Sequence, residues 1–544
     1  MKKSFLILSL CLLAAAGGCM YHGLKTDHEL RQDLYLAADS AALNLSTREI
    51  ETIVGAILAG YDAKKYYPEA DILNPYNETL FPRDFAAPVF RWEDRYLHSD
   101  QWLITIRFAR NNHSIHVLTD QTSWTPTRDI WEIIKADSLE QKAFVTILGV
   151  DTERARNIIT KTVIAVSTSR DEVGAPLMYV QMPLPFEWGR EHPEEFLWRF
   201  GAVSSYDPPP VVLKNLPFCG NCHYFSRDGR MFGMDIDYRG DKGGYAISAV
   251  DRRMILKPED IITWNDFNKE DEQKSQGFFA KISPDGRYII GTVKERSFFA
   301  LLADIDFSQF FFPARGLLAC YCITDRTFFS LPGADDPNYI QTCPAWSPDG
   351  RYIVFSRAKV DPYLIETLGD KNYIEVDQNV TIHDLNKKYR IMYDLYRIPF
   401  NEGRGGTPEP LSGAGGNEKS NYFPSFSPDG RWIVFTQSDT GLAIQPGSKL
   451  YIIPAEGGTA RQLECNTSMM NSWHSWSPNN RWLVFSSKVN TPYTELFITH
   501  IDQNGTASVP VLLSRFSGDK QACVAPEFVD LEPDAIQEIL LSDE

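Results

Sequence analysis

AWSPDGRYIVFSR, residues 345–357, reads as an incoming strand, a tight turn and an outgoing strand. Asp349-Gly350 suits the positive φ of a short hairpin loop, and the β-branched and aromatic residues after Arg351 favour extended chain. The pattern recurs as KISPDGRYIIGTV at 281–293, SFSPDGRWIVFTQ at 425–437 and SWSPNNRWLVFSS at 475–487, with a diverged copy, YFSRDGRMFGMDID, at 224–237. After three of these hairpins come LYRIPFNEGRGGTPEPL (395–411), LYIIPAEGGTARQL (450–463) and LFITHIDQNGTASVPVLL (496–513), each a third strand, a Gly-containing turn and the start of a fourth. Four short antiparallel strands in a repeated unit make the blade of a propeller. A degraded sixth copy is VAPEFVD at 524–530, where Pro526 and Phe528 stand as Pro344 and Trp346 do. The predicted fold is all-β, with six blades, or alternatively seven, and its longest insertion at 361–395.

These motifs resemble the TolB-like β-propeller family over residues 205–540. The resemblance implies a binding or interaction platform. The same repeats cap prolyl oligopeptidases, but here there is no G-x-S-x-G and no room after the propeller for a hydrolase domain, which argues against a serine peptidase.

Upstream, residues 1–19 read as an export signal: Lys2 and Lys3, an apolar run at 5–16, then Ala-Gly-Gly-Cys resembling a lipobox with Cys19 as the acylated residue. Ala16 departs from the usual Leu. Residues 20–85 are predicted to be a helical segment, with Ser46 and Glu49 at capping-box spacing ahead of an apolar face of Ile50, Ile53, Val54, Ile57, Leu58 and Tyr61. Residues 86–200 alternate as strands and suggest an immunoglobulin- or fibronectin-like β-sandwich, and the Pro-rich stretch at 207–210 marks the expected boundary with a propeller at 205–544. The later part of this region, STSRDEVGAPLMYVQMPLPF, resembles a segment of exported bacterial proteins carrying TolB-like repeats. Over the 544 residues the net charge is −17, which argues against nucleic acid or anionic membrane surfaces as partners. The expected setting is the cell envelope, periplasmic face or outer membrane, with attachment through lipid at Cys19 and envelope proteins or a funnel ligand as partners.

One motif carries chemistry. Cys219-Gly-Asn-Cys222-His223 is C-x-x-C-H, which in an exported protein suits covalent c-type haem: two thioethers and a proximal imidazole on the iron. A disulfide between Cys219 and Cys222 and a metal site are the competing readings. His223 lies three residues before the hairpin Ser226, and the equivalent positions elsewhere are Ala280, Pro344, Pro424 and His474. His474 is therefore the candidate second iron ligand, with Met231 and Met234 as local alternatives, while a hydrogen-bonded blade-edge histidine is its plainer reading. Asp235, Asp237 and Asp241 have Ca²⁺-like intervals without an EF-hand arrangement. Cys320 and Cys322 share a strand face, and either could pair with Cys343. The functions open at this point are a binding platform with haem for electron transfer, a haem-dependent oxidoreductase or lyase using the funnel, and a structural scaffold with a disulfide at the CxxC.

Overall fold

The computed structural model describes residues 32–38, 45–95, 99–216, 222–271, 273–302, 307, 309–369, 373–375 and 380–542. Cys19 and Cys219 lie outside them.

The repeated hairpin is held by its own serine. In each copy the Ser Oγ donates to the side chain two residues on: Ser226 to Asp228 at 2.8 Å, Ser283 to Asp285 at 2.6 Å, Ser347 to Asp349 at 2.7 Å, Ser427 to Asp429 at 2.6 Å and Ser477 to Asn479 at 2.6 Å. The same Oγ accepts from the backbone N–H five residues on, at Met231, Tyr288, Tyr352, Trp432 and Trp482. The turn residue after the acid sits at positive φ, from 68° at Gly229 to 73° at Gly430, and Asn480 takes this place in the last copy. Glycine, and less readily asparagine, adopts this conformation at low cost, so the Asp-Gly and Asn-Asn turns match the geometry.

Six four-stranded blades follow. Blade 2 is His223–Phe225, Met231–Tyr238, Asp241–Ala249 and Ile261–Thr263, and blade 3 is Phe278–Ile282, Tyr288–Leu301, Gln309–Cys322 and Thr327–Ser330. Blade 4 is Tyr339–Trp346, Tyr352–Lys359, Asp394–Pro399 and Glu409–Pro410, touching blade 3 through the parallel bridge Gly316 to Ile340. Blade 5 is Ser420–Phe426, Trp432–Ser438, Lys449–Pro454 and Arg461–Gln462; blade 6 is Asn471–Trp476, Trp482–Ser487, Glu495–His500 and Val511–Leu512.

Blade 1 closes the ring from both ends of the propeller. Its inner strand is Gln521–Phe528, antiparallel to Pro176–Pro183, followed outward by Leu197–Ala202 and Val211–Lys214. This corrects the boundary expected at 207–210: that stretch lies inside blade 1, and the first propeller strand begins at Pro176. Those three strands lack a Ser-Pro-Asp-Gly hairpin, because the strand they need comes from the C-terminus.

The preceding region has the expected strands in a different arrangement. Leu34–Ala37, Ser114–Thr119, Gln101–Phe108, Ala143–Asp151, Asn157–Thr168 and Thr79–Phe81 form one six-stranded sheet whose two edge strands run parallel to their neighbours. Alternate residues of its central strands face opposite layers. Leu103, Leu148 and Val150 pack on helix α1 (Thr47–Ala59) through Ile50, Val54 and Ile57, while Trp102, Ile104 and Ile147 meet Trp92 and Trp124 of a three-stranded sheet and Trp131 of helix α2 (Arg128–Asp137). Two sheet layers are present, but the parallel edges and the flanking helices are not those of an immunoglobulin sandwich. Helix α1 starts with the expected capping box, Ser46 N–H donating to Glu49 Oε2 at 2.8 Å. Among the described residues no helix is long and apolar enough to cross a membrane.

Candidate ligand channel

The six inner strands enclose a channel with a cavity of about 360 Å³. Each strand contributes the same positions, so the lining falls into levels. Counting back from the hairpin Ser, one level is Cys222, Phe279, Cys343, Phe423, Trp473 and Ala525; the next is His223, Ala280, Pro344, Pro424, His474 and Pro526; the third is Tyr224, Lys281, Ala345, Ser425, Ser475 and Glu527. Phe279, Cys343, Phe423, Trp473 and Ala525 all have positive φ, between 42° and 58°, where the pairing of the inner strand slips by a bulge. Bulges re-aim side chains at the rims of sheets, and here they mark the level that Cys222 shares. His223, His474, Pro526 and Pro344 all line the channel.

Both ends of the channel are covered. At the hairpin end Arg227 donates from Nη1 to Pro348 O at 2.8 Å and from Nη2 to Pro428 O at 3.0 Å, tying blade 2 to blades 4 and 5 across the axis. Sequence reasoning missed this residue, although the signal was present: Arg227 stands where the other hairpins have Pro. At the opposite end the long hairpin of blade 3 brings Phe311 onto Phe279, with ring centroids 5.7 Å apart, and Phe279 meets Phe423 at 5.2 Å.

Between these covers lie polar groups with few partners. The His223 side chain is fully buried, neither ring nitrogen makes a well-formed hydrogen bond although the Met178 backbone stands as a weak partner, and Nε2 is 3.9 Å from Glu527 Oε2. Glu527 Oε1 accepts from Phe225 N–H at 3.1 Å, which joins blades 1 and 2, while its Oε2 is unsatisfied. His474 Nε2 lies 3.1 Å from Val434 O; an N–H there donates to the carbonyl and leaves the partnerless Nδ1 as an acceptor. Lys281 places its ammonium 3.9 Å above the ring of Tyr224. Burial holds His223 down at about 3 and His474 at about 4, so both imidazoles are neutral at physiological pH. Burial raises Glu527 to about 8 against the opposing pull of Lys281, and lowers Lys281 against the pull of Glu527. Burial, then Asp235, pushes the Cys222 thiol up to about 12, so it is not a thiolate nucleophile at neutral pH.

The other candidates are placed as follows. Met234 is fully buried in the core between blades 1 and 2, and Met231 packs partly buried beside Ile282 and Tyr224. Asp235 is buried on the second strand of blade 2, its backbone N–H donating to Cys222 O at 3.1 Å, whereas Asp241 accepts from Gly243 N–H and Asn265 Nδ2. Asp235 and Asp241 thus have separate surroundings, and among the described residues no group of three or more His, Cys, Asp or Glu is arranged to hold a metal ion. Cys222, Cys320, Cys322, Cys343, Cys465 and Cys523 are free thiols, so the suggested pairing of Cys320 or Cys322 with Cys343 is absent; Cys320 packs instead against Ile290 and Leu318.

Of C-x-x-C-H, the described Cys222 and His223 both line the channel, and burial keeps the imidazole in the neutral form that can ligate a metal.

No family model matches the chain, and no curated protein sequence matches it. Solved structures do. The chain is similar in fold to TolB. TolB from Acinetobacter baumannii aligns at 14% identity over 71% of this chain and 79% of that one, with a TM-score of 0.39. Putative TolB from Agrobacterium tumefaciens aligns at 15% over 62% and 88%, TM-score 0.33, and the periplasmic gluconolactonase PpgL of Pseudomonas aeruginosa at 12% over 61% and 81%, TM-score 0.33. The six-bladed assignment rests on the strand pairing above and not on these likenesses, which say nothing of activity.

The channel chemistry gives two measurable outcomes. Glu527 is raised from 4.5 to about 8 on folding, so between these values the folded state holds a proton that the unfolded state has released, and stability falls as pH rises. The two histidines act in the opposite sense, losing stability as pH falls below 6.5. Between pH 6.5 and 8 the carboxyl contribution outweighs the remaining tail of the histidines', and Glu527→Gln is expected to flatten the decline in unfolding free energy over that interval by about 1–2 kcal/mol; urea titrations at both pH values check this. Lys281→Met removes a largely buried charge that has no carboxylate within ion-pair distance among the described residues, and is expected to stabilise the ligand-free protein by about 1–2 kcal/mol. A thermal melt showing a lower transition for this variant would contradict that.

Proposed function

We propose that this protein is an envelope-anchored propeller acting as a binding platform, with its central channel as the site for a small polar ligand. The anchoring half of this reading comes from the leader, with Lys2, Lys3 and the small residues up to Cys19, and from lipid attachment at that cysteine. The binding half is carried by one observation: His223 Nδ1 and Nε2, His474 Nδ1 and Glu527 Oε2 are buried without well-formed hydrogen bonds around one cavity. Buried polar atoms are ordinarily satisfied, and these four unsatisfied atoms belong to residues that line one cavity, which favours a polar ligand there. The test is a thermal-shift panel of small polar molecules on the wild type and on Ser425→Phe, which fills the lumen from a small wall residue. Stabilisation by panel members that disappears in Ser425→Phe supports the reading. Equal stabilisation of both proteins puts the binding site elsewhere.

A second reading is favoured by the neutral, buried imidazole of His223. Cys219 and Cys222 would hold a c-type haem through thioethers and His223 would ligate its iron, with His474 as a further donor. Such a group supplies one-electron transfer at the envelope. His223 suits this role because burial keeps it neutral and it lines the channel. Export in cells carrying the cytochrome c maturation machinery, followed by a pyridine haemochrome spectrum and intact mass, tests it. Covalent haem that is lost in Cys222→Ala supports attachment; an unmodified mass for the wild type removes it.

A further inference from the structure

We infer that the channel selects a small organic anion and that Lys281 is its charge anchor; this rests on the reading of the channel as a binding site. The level that carries Lys281 is lopsided. Blades 1, 2 and 3 present Glu527, Tyr224 and Lys281, whereas blades 4, 5 and 6 present Ala345, Ser425 and Ser475. The long polar side chains of this level thus come from three adjoining blades and the small ones from the other three.

Lys281 lines the channel without an ion pair. Its ammonium is stacked 3.9 Å from the Tyr224 ring, and no carboxylate among the described residues lies within the 4.0 Å of an ion pair. Glu527, on the same level, spends one oxygen on Phe225 N–H and turns the other toward His223. An enclosed cation without a counter-ion is costly. A ring face offsets only part of that cost, since a cation–π contact contributes less than a desolvated charge-to-charge hydrogen bond. An anion beside Lys281 supplies what is missing. The rest of the wall selects its body: Trp346, Phe426 and Trp473 line the cavity, and about 360 Å³ lies at the small end of the range for ligand pockets. Aromatic walls and this size suit a compact carboxylate with an apolar or planar frame better than a hydrated inorganic ion. The neutral, fully buried His223 belongs to the same wall.

The test titrates the full-length exported protein with benzoate, with benzamide as the neutral analogue of the same shape, and with inorganic phosphate. Wild type is expected to bind benzoate at least about tenfold more tightly than benzamide or phosphate, and Lys281→Met and Lys281→Gln are expected to lose about tenfold or more in benzoate affinity. Circular dichroism and melting curves establish that both variants are folded, and the benzoate-to-benzamide ratio in wild type needs no variant. Benzamide binding as tightly as benzoate, or undiminished benzoate affinity in both lysine variants, overturns the anchor while leaving the channel as a site if Ser425→Phe still abolishes binding. Tighter binding of phosphate overturns the organic ligand. Failure of all three probes overturns the inference, and failure of the wider panel as well overturns the channel reading beneath it.

Discussion

Ending the chain at Lys520 is expected to abolish cooperative unfolding of the propeller. The removed segment supplies the inner strand of blade 1, whose backbone pairs along Pro176–Pro183, and then Glu538–Leu541, which runs parallel to Arg253–Leu256 beside blade 2. Phe528, Val529, Ile536 and Ile539 are buried, and each contributes about 1.5–3 kcal/mol through burial. Together they rival the entire stability of a typical domain, about 5–15 kcal/mol. Truncation also strips partners from Pro176–Pro183, turning a buried strand into a bare sheet edge. Near-UV circular dichroism during a thermal melt is the check: a broad, shallow change is expected. A sharp transition within a few degrees of the intact protein would show that the ring does not depend on its closing strand.

Trp198→Ala is expected to cost about 3–5 kcal/mol. Trp198 lies on the third strand of blade 1, fully buried, and packs in one cluster with Met178, Phe200 and Val212 of its own blade and Phe225 and Phe232 of blade 2. Its indole N–H has no partner, so the loss is one of packing and cavity formation rather than of a hydrogen bond. Urea denaturation should show a lower midpoint with an unchanged slope. Trp198→Phe, which keeps part of the ring, should recover a substantial share. A cost below about 1 kcal/mol would mean that the first two blades do not share this core.

The hairpins were legible because everything that holds them is local. Ser347, Asp349, Gly350 and the N–H of Tyr352 close the turn within six residues, and the same four roles recur in each copy. The short segment around Pro526 and Phe528 was also readable, since a blade's inner strand keeps its lining pattern even without a hairpin of its own. The three strands that complete blade 1 were not, because their partner is more than 300 residues away and no turn motif announces it. Parallel edge strands in the N-terminal sheet escaped for a related reason: alternation reveals a strand but not the direction of its neighbour.

The site shows the same division. His223 and His474 were recognised as equivalent from their distance to Ser226 and Ser477, and both line the channel. Lys281 and Glu527 were passed over because each is unremarkable in its own segment, and only closure of the ring brings them to one level with Tyr224. Arg227 was visible as a departure from Pro, but its reach to Pro348 O and Pro428 O depends on the arrangement of three blades.

The most direct test of the channel as a binding site is a crystal structure of the exported protein soaked with benzoate. The account predicts density for the ligand inside the ring, its carboxylate beside Lys281 and its ring against the side formed by Ala345 and Ser425. Benzoate bound only outside the ring, or a lumen closed by those side chains, would contradict it.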